Sequence, residues 1–161
     1  MNTKKIYYQV LITAIFGSLA YLTRALNLIT PLGGIFVLDL RDFFVAIGSA
    51  IGGFGPGLVI GLLAGIPAKI PLIDISSFCI AGACVGYFST RFYRKGINVA
   101  YSAIFMLTGY AVALAMAWYF GLMQVSTFLV LRALICTPVN VFILYNLFNT
   151  YPTIIAEARY G

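Results

Sequence analysis

The sequence predicts an all-α integral membrane protein: a bundle of six transmembrane helices with both termini in the cytoplasm. Three observations carry that expectation. The composition is too apolar for water, six apolar segments are separated by breaks, and the Lys and Arg residues are unevenly placed. Of 161 residues, 62% are hydrophobic and 9% charged, against about 25% charged in an average soluble domain. Mean hydropathy is +1.01. A globule of this size leaves much of its surface wet and cannot hide so much apolar area. Disorder is excluded as well, because it needs low hydrophobicity. At roughly 20 residues per span, six spans take up about 120 residues. That leaves a single membrane domain over 1–161 with short loops.

The segments follow in order. The first runs from about Ile6 to Leu26, and Asn27 to Gly34, with Pro31 and a Gly33-Gly34 pair, reads as a loop. The second runs from about Ile35 to Gly52, with Asp39, Arg41 and Asp42 near its start. Gly52-Gly53-Phe54-Gly55-Pro56-Gly57 is a break that ends a helix. The third, Leu58 to Ile66, is short and closes at Pro67, Lys69 and Pro71. The second and third segments fit either two full spans or a re-entrant pair, and the charges favour two spans. The fourth runs from about Asp74 to Phe88, before a charged loop, Arg91-Phe92-Tyr93-Arg94-Lys95. The fifth runs from about Val99 to Leu122, the sixth from about Ser126 to Phe148, and the tail holds Pro152, Glu157 and Arg159. No small-residue cleavage site follows the N-terminal Met1-Asn2-Thr3-Lys4-Lys5, so the first helix is expected to be retained.

The chain has ten Lys/Arg and four Asp/Glu, a formal charge of +6. Cytoplasmic loops collect Lys and Arg. With the N-terminus inside, Lys4, Lys5, Arg91, Arg94, Lys95 and Arg159 fall on the cytoplasmic side, with Glu157. The other side receives a nearly balanced set: Arg24, Asp39, Arg41, Asp42, Lys69 and Asp74.

Those outer charges mark the candidate site. Ions within a membrane are rare and usually functional. Arg132 lies about six residues inside the sixth segment, roughly 9 Å along a helix. In one small bundle, Arg24, Asp39, Arg41, Asp42, Lys69, Asp74 and Arg132 can converge at the outer mouth. Arg24, Arg41 and Arg132 would grip carboxylate or phosphate oxygens of a small anionic solute. Asp39, Asp42 and Asp74 would accept from donors on that solute or pair with the cations. Asp39 also suits the N-cap of the second helix. Trp118 reads either as part of an interfacial aromatic belt or as a platform for a heterocycle. Thr137-Pro138-Val139-Asn140 is expected to break the sixth helix locally, with Asn140 either satisfying the freed carbonyl or lining a cavity.

Small residues four apart allow close helix approach. Thr13-x-x-x-Gly17 and Ala14-x-x-x-Ser18 in the first helix suit packing within the bundle or docking of another membrane protein. Gly61-x-x-x-Gly65 suits packing of the third. There is no histidine, and Cys79, Cys84 and Cys136 lie in apolar segments, so no metal site or disulfide framework is expected. No catalytic motif, P-loop or cofactor motif is present, and no basic stretch suits nucleic acid. The expectation is a non-enzyme, without cofactor, in the cell membrane.

Leu38-Asp39-Leu40-Arg41-Asp42 leading into Gly53-Phe54-Gly55-Pro56-Gly57-Leu58-Val59-Ile60-Gly61 resembles the second-to-third helix region of the S components of energy-coupling-factor (ECF) transporters. Ala14-x-x-x-Ser18 resembles the Ala-x-x-x-Ala motif with which S components meet their T component, with serine in place of the second alanine. Pro138-x-Asn140 is similar to a recurrent feature of the same family, and the resemblance covers nearly the whole chain. It implies a membrane subunit that captures a water-soluble vitamin or vitamin precursor outside. A T component and two cytoplasmic ATPases would supply energy, and the subunit would topple in the membrane to release cargo. Nickel and cobalt members use an N-terminal Met-His segment, whereas Met1-Asn2 stands here, so metal cargo is not expected. The receptor domain of cell-wall-regulating sensor kinases is also similar, in the arginine before the Gly-Pro turn and in Cys79 to Gly86. It implies a membrane sensor as the alternative. A self-contained ion-coupled transporter is a third reading, without an inverted repeat to support it.

Overall fold

The computed structural model of the protein describes residues 3–26, 29–32, 36–154 and 156. The expectations placed on Met1, Asn2, Asn27, Gly33, Gly34, Ile35, Glu157 and Arg159 lie outside the described residues. The elements are α1 (Thr3–Ala25), β1 (Ile29–Leu32), β2 (Phe36–Asp39), α2 (Leu40–Gly52), α3 (Phe54–Gly65), α4 (Pro71–Arg94), a 3₁₀-helix (Val99–Phe105), α5 (Met106–Tyr119) and α6 (Met123–Thr150). The six α-helices correspond to the six apolar segments. Four stretches are long and apolar enough to cross a bilayer: α1, α4, Val99–Tyr119 and Thr127–Thr150. α3 is apolar but only 12 residues long, and α2 has 13.

Several local expectations are corrected. The first connection is not all loop, because β1 and β2 pair antiparallel with Ile29 opposite Asp39 and Leu32 opposite Phe36. Apolar and β-branched residues on either side of a Gly-Gly pair are a hairpin pattern. The Gly-Pro break is one residue wide. Gly53 takes a positive φ of 94°, open to glycine without penalty, and α3 restarts at Phe54. Pro56 sits in its first turn, where the missing N–H costs nothing. The charged stretch after Phe88 is no loop either. α4 continues through Arg94, and Arg91 and Arg94 stand in its last turn, where cations suit the helix dipole. The fifth segment opens as a 3₁₀-helix, with Asn98 accepting a hydrogen bond from the Ala100 N–H at 2.9 Å.

α6 runs through Pro138 without a break. Asn140 is 1% exposed, and neither its amide nitrogen nor its amide oxygen has a hydrogen-bond partner among the described residues. Asn140 therefore does not satisfy the carbonyl that Pro138 frees.

α3 and α4 run antiparallel with backbones nearly touching. A Cβ on Gly57 would overlap the Gly82 carbonyl oxygen, and one on Gly82 would overlap that of Gly57. Gly61 meets the Phe78 carbonyl and Gly65 meets Ile75 in the same way. The Gly61-x-x-x-Gly65 pair thus serves packing inside the bundle. Against this pair, α1 lies beside α2 and α3, while α5 and α6 close the far side. The core runs through Val45, Ile60, Val85, Met106 and Leu144.

Candidate functional site

Because consecutive helices reverse direction, the C-terminal ends of α1 and α3 and the N-terminal ends of α2 and α4 share a common mouth. The C-terminal end of α1 supplies Arg24, the start of α2 supplies Arg41 and Asp42, the turn after α3 supplies Lys69, and the first turn of α4 supplies Asp74. Arg132 enters from the upper part of α6. All of these, with Asp39, border one cavity of about 310 Å³, a volume at the small end of the range for ligand pockets. The sequence expectation that charges from separate segments converge on one mouth therefore matches the geometry for these seven residues.

How they converge is more specific. Asp39 caps α2, accepting from the Arg41 backbone N–H at 3.0 Å. The Arg41 guanidinium then folds back onto the same carboxylate, with Nε at 3.0 and 2.9 Å from its two oxygens and Nη2 at 2.6 Å. Its Nη1 donates to the Ala64 carbonyl at 3.0 Å and to Asp74 Oδ2 at 2.9 Å. Arg41 thus ties the start of α2 to the end of α3 and the start of α4. Arg132 grips Asp42 with two hydrogen bonds, Nε to Oδ2 at 2.9 Å and Nη2 to Oδ1 at 2.7 Å. Its Nη2 also lies 2.9 Å from Asp39 Oδ2. The Tyr110 hydroxyl donates to Asp42 Oδ2 at 2.6 Å. Of the two roles open to the aspartates, the structure has them paired with the cations.

These ions are deeply placed. Arg41 and Asp42 are 3% and 1% exposed, whereas the Asp74 side chain keeps 29% of its surface. Forked guanidinium–carboxylate contacts offset the cost of such burial where the remaining hydrogen-bonding capacity is also met. Phe78 lies beneath both cations, its ring centre 4.8 Å from the Arg41 Cζ and 5.8 Å from that of Arg132. Below the charges the wall is apolar, with Ile73, Ala81, Met106 and Ala113.

Two named residues stand apart. Trp118 is 72% exposed and does not border the cavity, so the structure gives it no part in a ligand platform. Asn140 is buried elsewhere and does not line the cavity either. The two small-residue pairs of α1 separate. Gly17 is buried against the Leu63 side chain of α3, and Thr13 is half-buried with its hydroxyl donating to Gln9 O at 2.7 Å. Ala14 and Ser18 remain exposed on the outer face. The sequence reading missed Tyr110 and Phe78. A tyrosine in the middle of an apolar helix is a usable signal, because its buried hydroxyl needs a polar partner. Phe78 carries no such mark among thirteen phenylalanines.

Among the described residues no group of His, Cys, Asp and Glu has the arrangement to hold a metal ion. No protein-family model, curated protein or solved structure matches this chain.

Proposed function

We propose that the protein is the solute-capturing S component of an ECF-type importer. It would bind a small water-soluble vitamin or vitamin precursor at the extracellular end of the bundle. A membrane T component and two cytoplasmic ATPases would drive release inward. In this reading all six helices lie in the cell membrane with both termini in the cytoplasm, and α2 and α3 form a shortened pair of crossings. The supporting observation is the cavity, where side chains from α1, α2, α4 and α6 meet at the end that the charge distribution assigns to the outside. A recess with an apolar wall and a few fixed polar groups is the usual form of a small-molecule site. The exposed Ala14 and Ser18 leave a small-residue stripe available for the T component.

The test is purification of the full chain from its native membrane under mild detergent, followed by native mass spectrometry. Recovery of a T component, ATPases and a bound small molecule is the expected result. Recovery of the chain alone, with no bound molecule, would overturn the proposal. A kinase partner with ligand binding but no uptake would transfer the chain to the sensor class.

A further inference from the structure

The cavity holds four cations and three carboxylates, and they are unequally engaged. Arg41 directs Nε, Nη1 and Nη2 to acceptors within the protein. Arg132 gives Nε and Nη2 to Asp42. The two guanidinium groups already stand among three carboxylates, so most of their positive charge is offset within the protein. Arg24 and Lys69 differ. Among the described residues neither has an ion pair within 4.0 Å, although both border the same cavity. The chain has four acids. Three are in this cluster, and the fourth, Glu157, follows the opposite end of α6 and lies outside the described residues.

Resting on the reading of the cavity as a solute site, we infer that Arg24 and Lys69 form an anion-selective rim, and that the cargo is a small organic monoanion whose apolar body lies on the Phe78–Met106 wall. The cavity as a whole has one positive charge in excess, so a single anionic group brings it to neutrality. A dianion would leave a net negative charge in a partly desolvated space, and a cation would add to the positive excess, both unfavourable at low local dielectric. Arg41, Arg132 and the aspartates are then the scaffold of the site, holding α2, α3, α4 and α6 in register. The rim supplies the charge recognition.

The experiment is a titration of the purified full chain in detergent with three probes of one shape: benzoate, benzamide and benzylamine. The expected result is benzoate binding at least about tenfold tighter than benzamide, with no preference for benzylamine. Raising NaCl to about 1 M, where the screening length is about 3 Å, should weaken benzoate and leave benzamide unchanged. Arg24→Gln combined with Lys69→Gln should abolish the discrimination while leaving the melting temperature in place, and Arg24→Lys should retain it. Benzamide or benzylamine binding as tightly as benzoate, or discrimination surviving in the double variant, would overturn the anionic rim while leaving a solute site standing. Absence of binding by every probe, together with no molecule co-purifying, would remove both.

Discussion

Arg132→Ala is the sharpest test of the charge cluster, because its expected cost follows from the geometry. Asp42 is 1% exposed and receives two hydrogen bonds from Arg132, at 2.9 and 2.7 Å. After truncation the Tyr110 hydroxyl at 2.6 Å remains, a neutral donor in place of a cation. Asp39 loses a 2.9 Å contact but keeps its forked pair with Arg41. Removing one partner of a buried ion pair costs about 3–5 kcal/mol, most of it from the charge left behind. For a chain of this size that corresponds to a fall in melting temperature of about 6–20 °C. The assay is thermal unfolding of the purified chain in one detergent without added solute. Pairing Arg132→Ala with Asp42→Asn removes the orphaned charge and should restore at least about half of the loss, since the amide can still accept from Tyr110. Arg24→Ala, which breaks no ion pair, should shift the midpoint by less than about 2 °C. If Arg132→Ala melts within about 2 °C of the parent, or the double variant is no better than the single, the cluster does not hold the helices together as described.

Gly57→Ala should destabilise the bundle by about 1–3 kcal/mol through overlap with the Gly82 carbonyl, whereas Gly55→Ala, with nothing within 4 Å of the added Cβ, should be neutral; equal melting points would contradict the α3–α4 contact. Gly17→Leu should lower the melting temperature by driving α1 away from Leu63. Ala14→Leu, on the exposed face, should leave stability intact and, under the proposed importer reading, reduce uptake; unaltered uptake would remove the docking stripe. In a cysteine-free background, an impermeant thiol reagent applied to intact cells should label Lys69→Cys and spare Arg94→Cys; labelling of both or the reverse pattern would overturn the orientation.

What the sequence made legible depended on how local each signal was. Apolar segment lengths and the Lys/Arg distribution are properties of the chain alone, so six helices and the meeting of Arg24, Lys69, Asp74 and Arg132 at one end could be read in advance. Asp39 as the cap of α2 was equally local, since a side-chain acceptor before a helix has few other uses. Partner choice was not legible. Arg41 could have faced solute or Asp39, and only the approach of α3 and α4 places the Ala64 carbonyl and Asp74 within its reach. The extent of α4 was misjudged because Arg91 and Arg94 look like loop residues in an apolar chain, yet a helix reaching past the hydrocarbon tolerates charge in its last turn. Asn140 was misjudged for the opposite reason. Its setting depends on which face of α6 packs inward, and the continuous apolar run around it does not encode that face.

The depth of the site follows from a mismatch of helix lengths. At 1.5 Å per residue, α2 and α3 rise about 20 and 18 Å, while α4 with 24 residues rises about 36 Å. α2 and α3 meet at Gly53, and Gly53 packs against Gly86 in the lower half of α4. With their joint anchored low, the short helices end below the top of the longer ones, which stand around them as walls. The recess is therefore a consequence of two truncated helices beside full-length neighbours. The same truncation puts Asp39, Arg41 and Asp42 below the rim, where unpaired ions would be costly. Their mutual pairing is the condition for ending α2 at that depth. In the proposed site, charge recognition then falls to Arg24 and Lys69, which border the same cavity. Lengthening α2 by one turn between Asp42 and Gly53 would raise the cluster by about 5.4 Å and fill the recess. Such an insertion should preserve membrane insertion while abolishing solute binding. Retained binding would mean that the cavity is not the site.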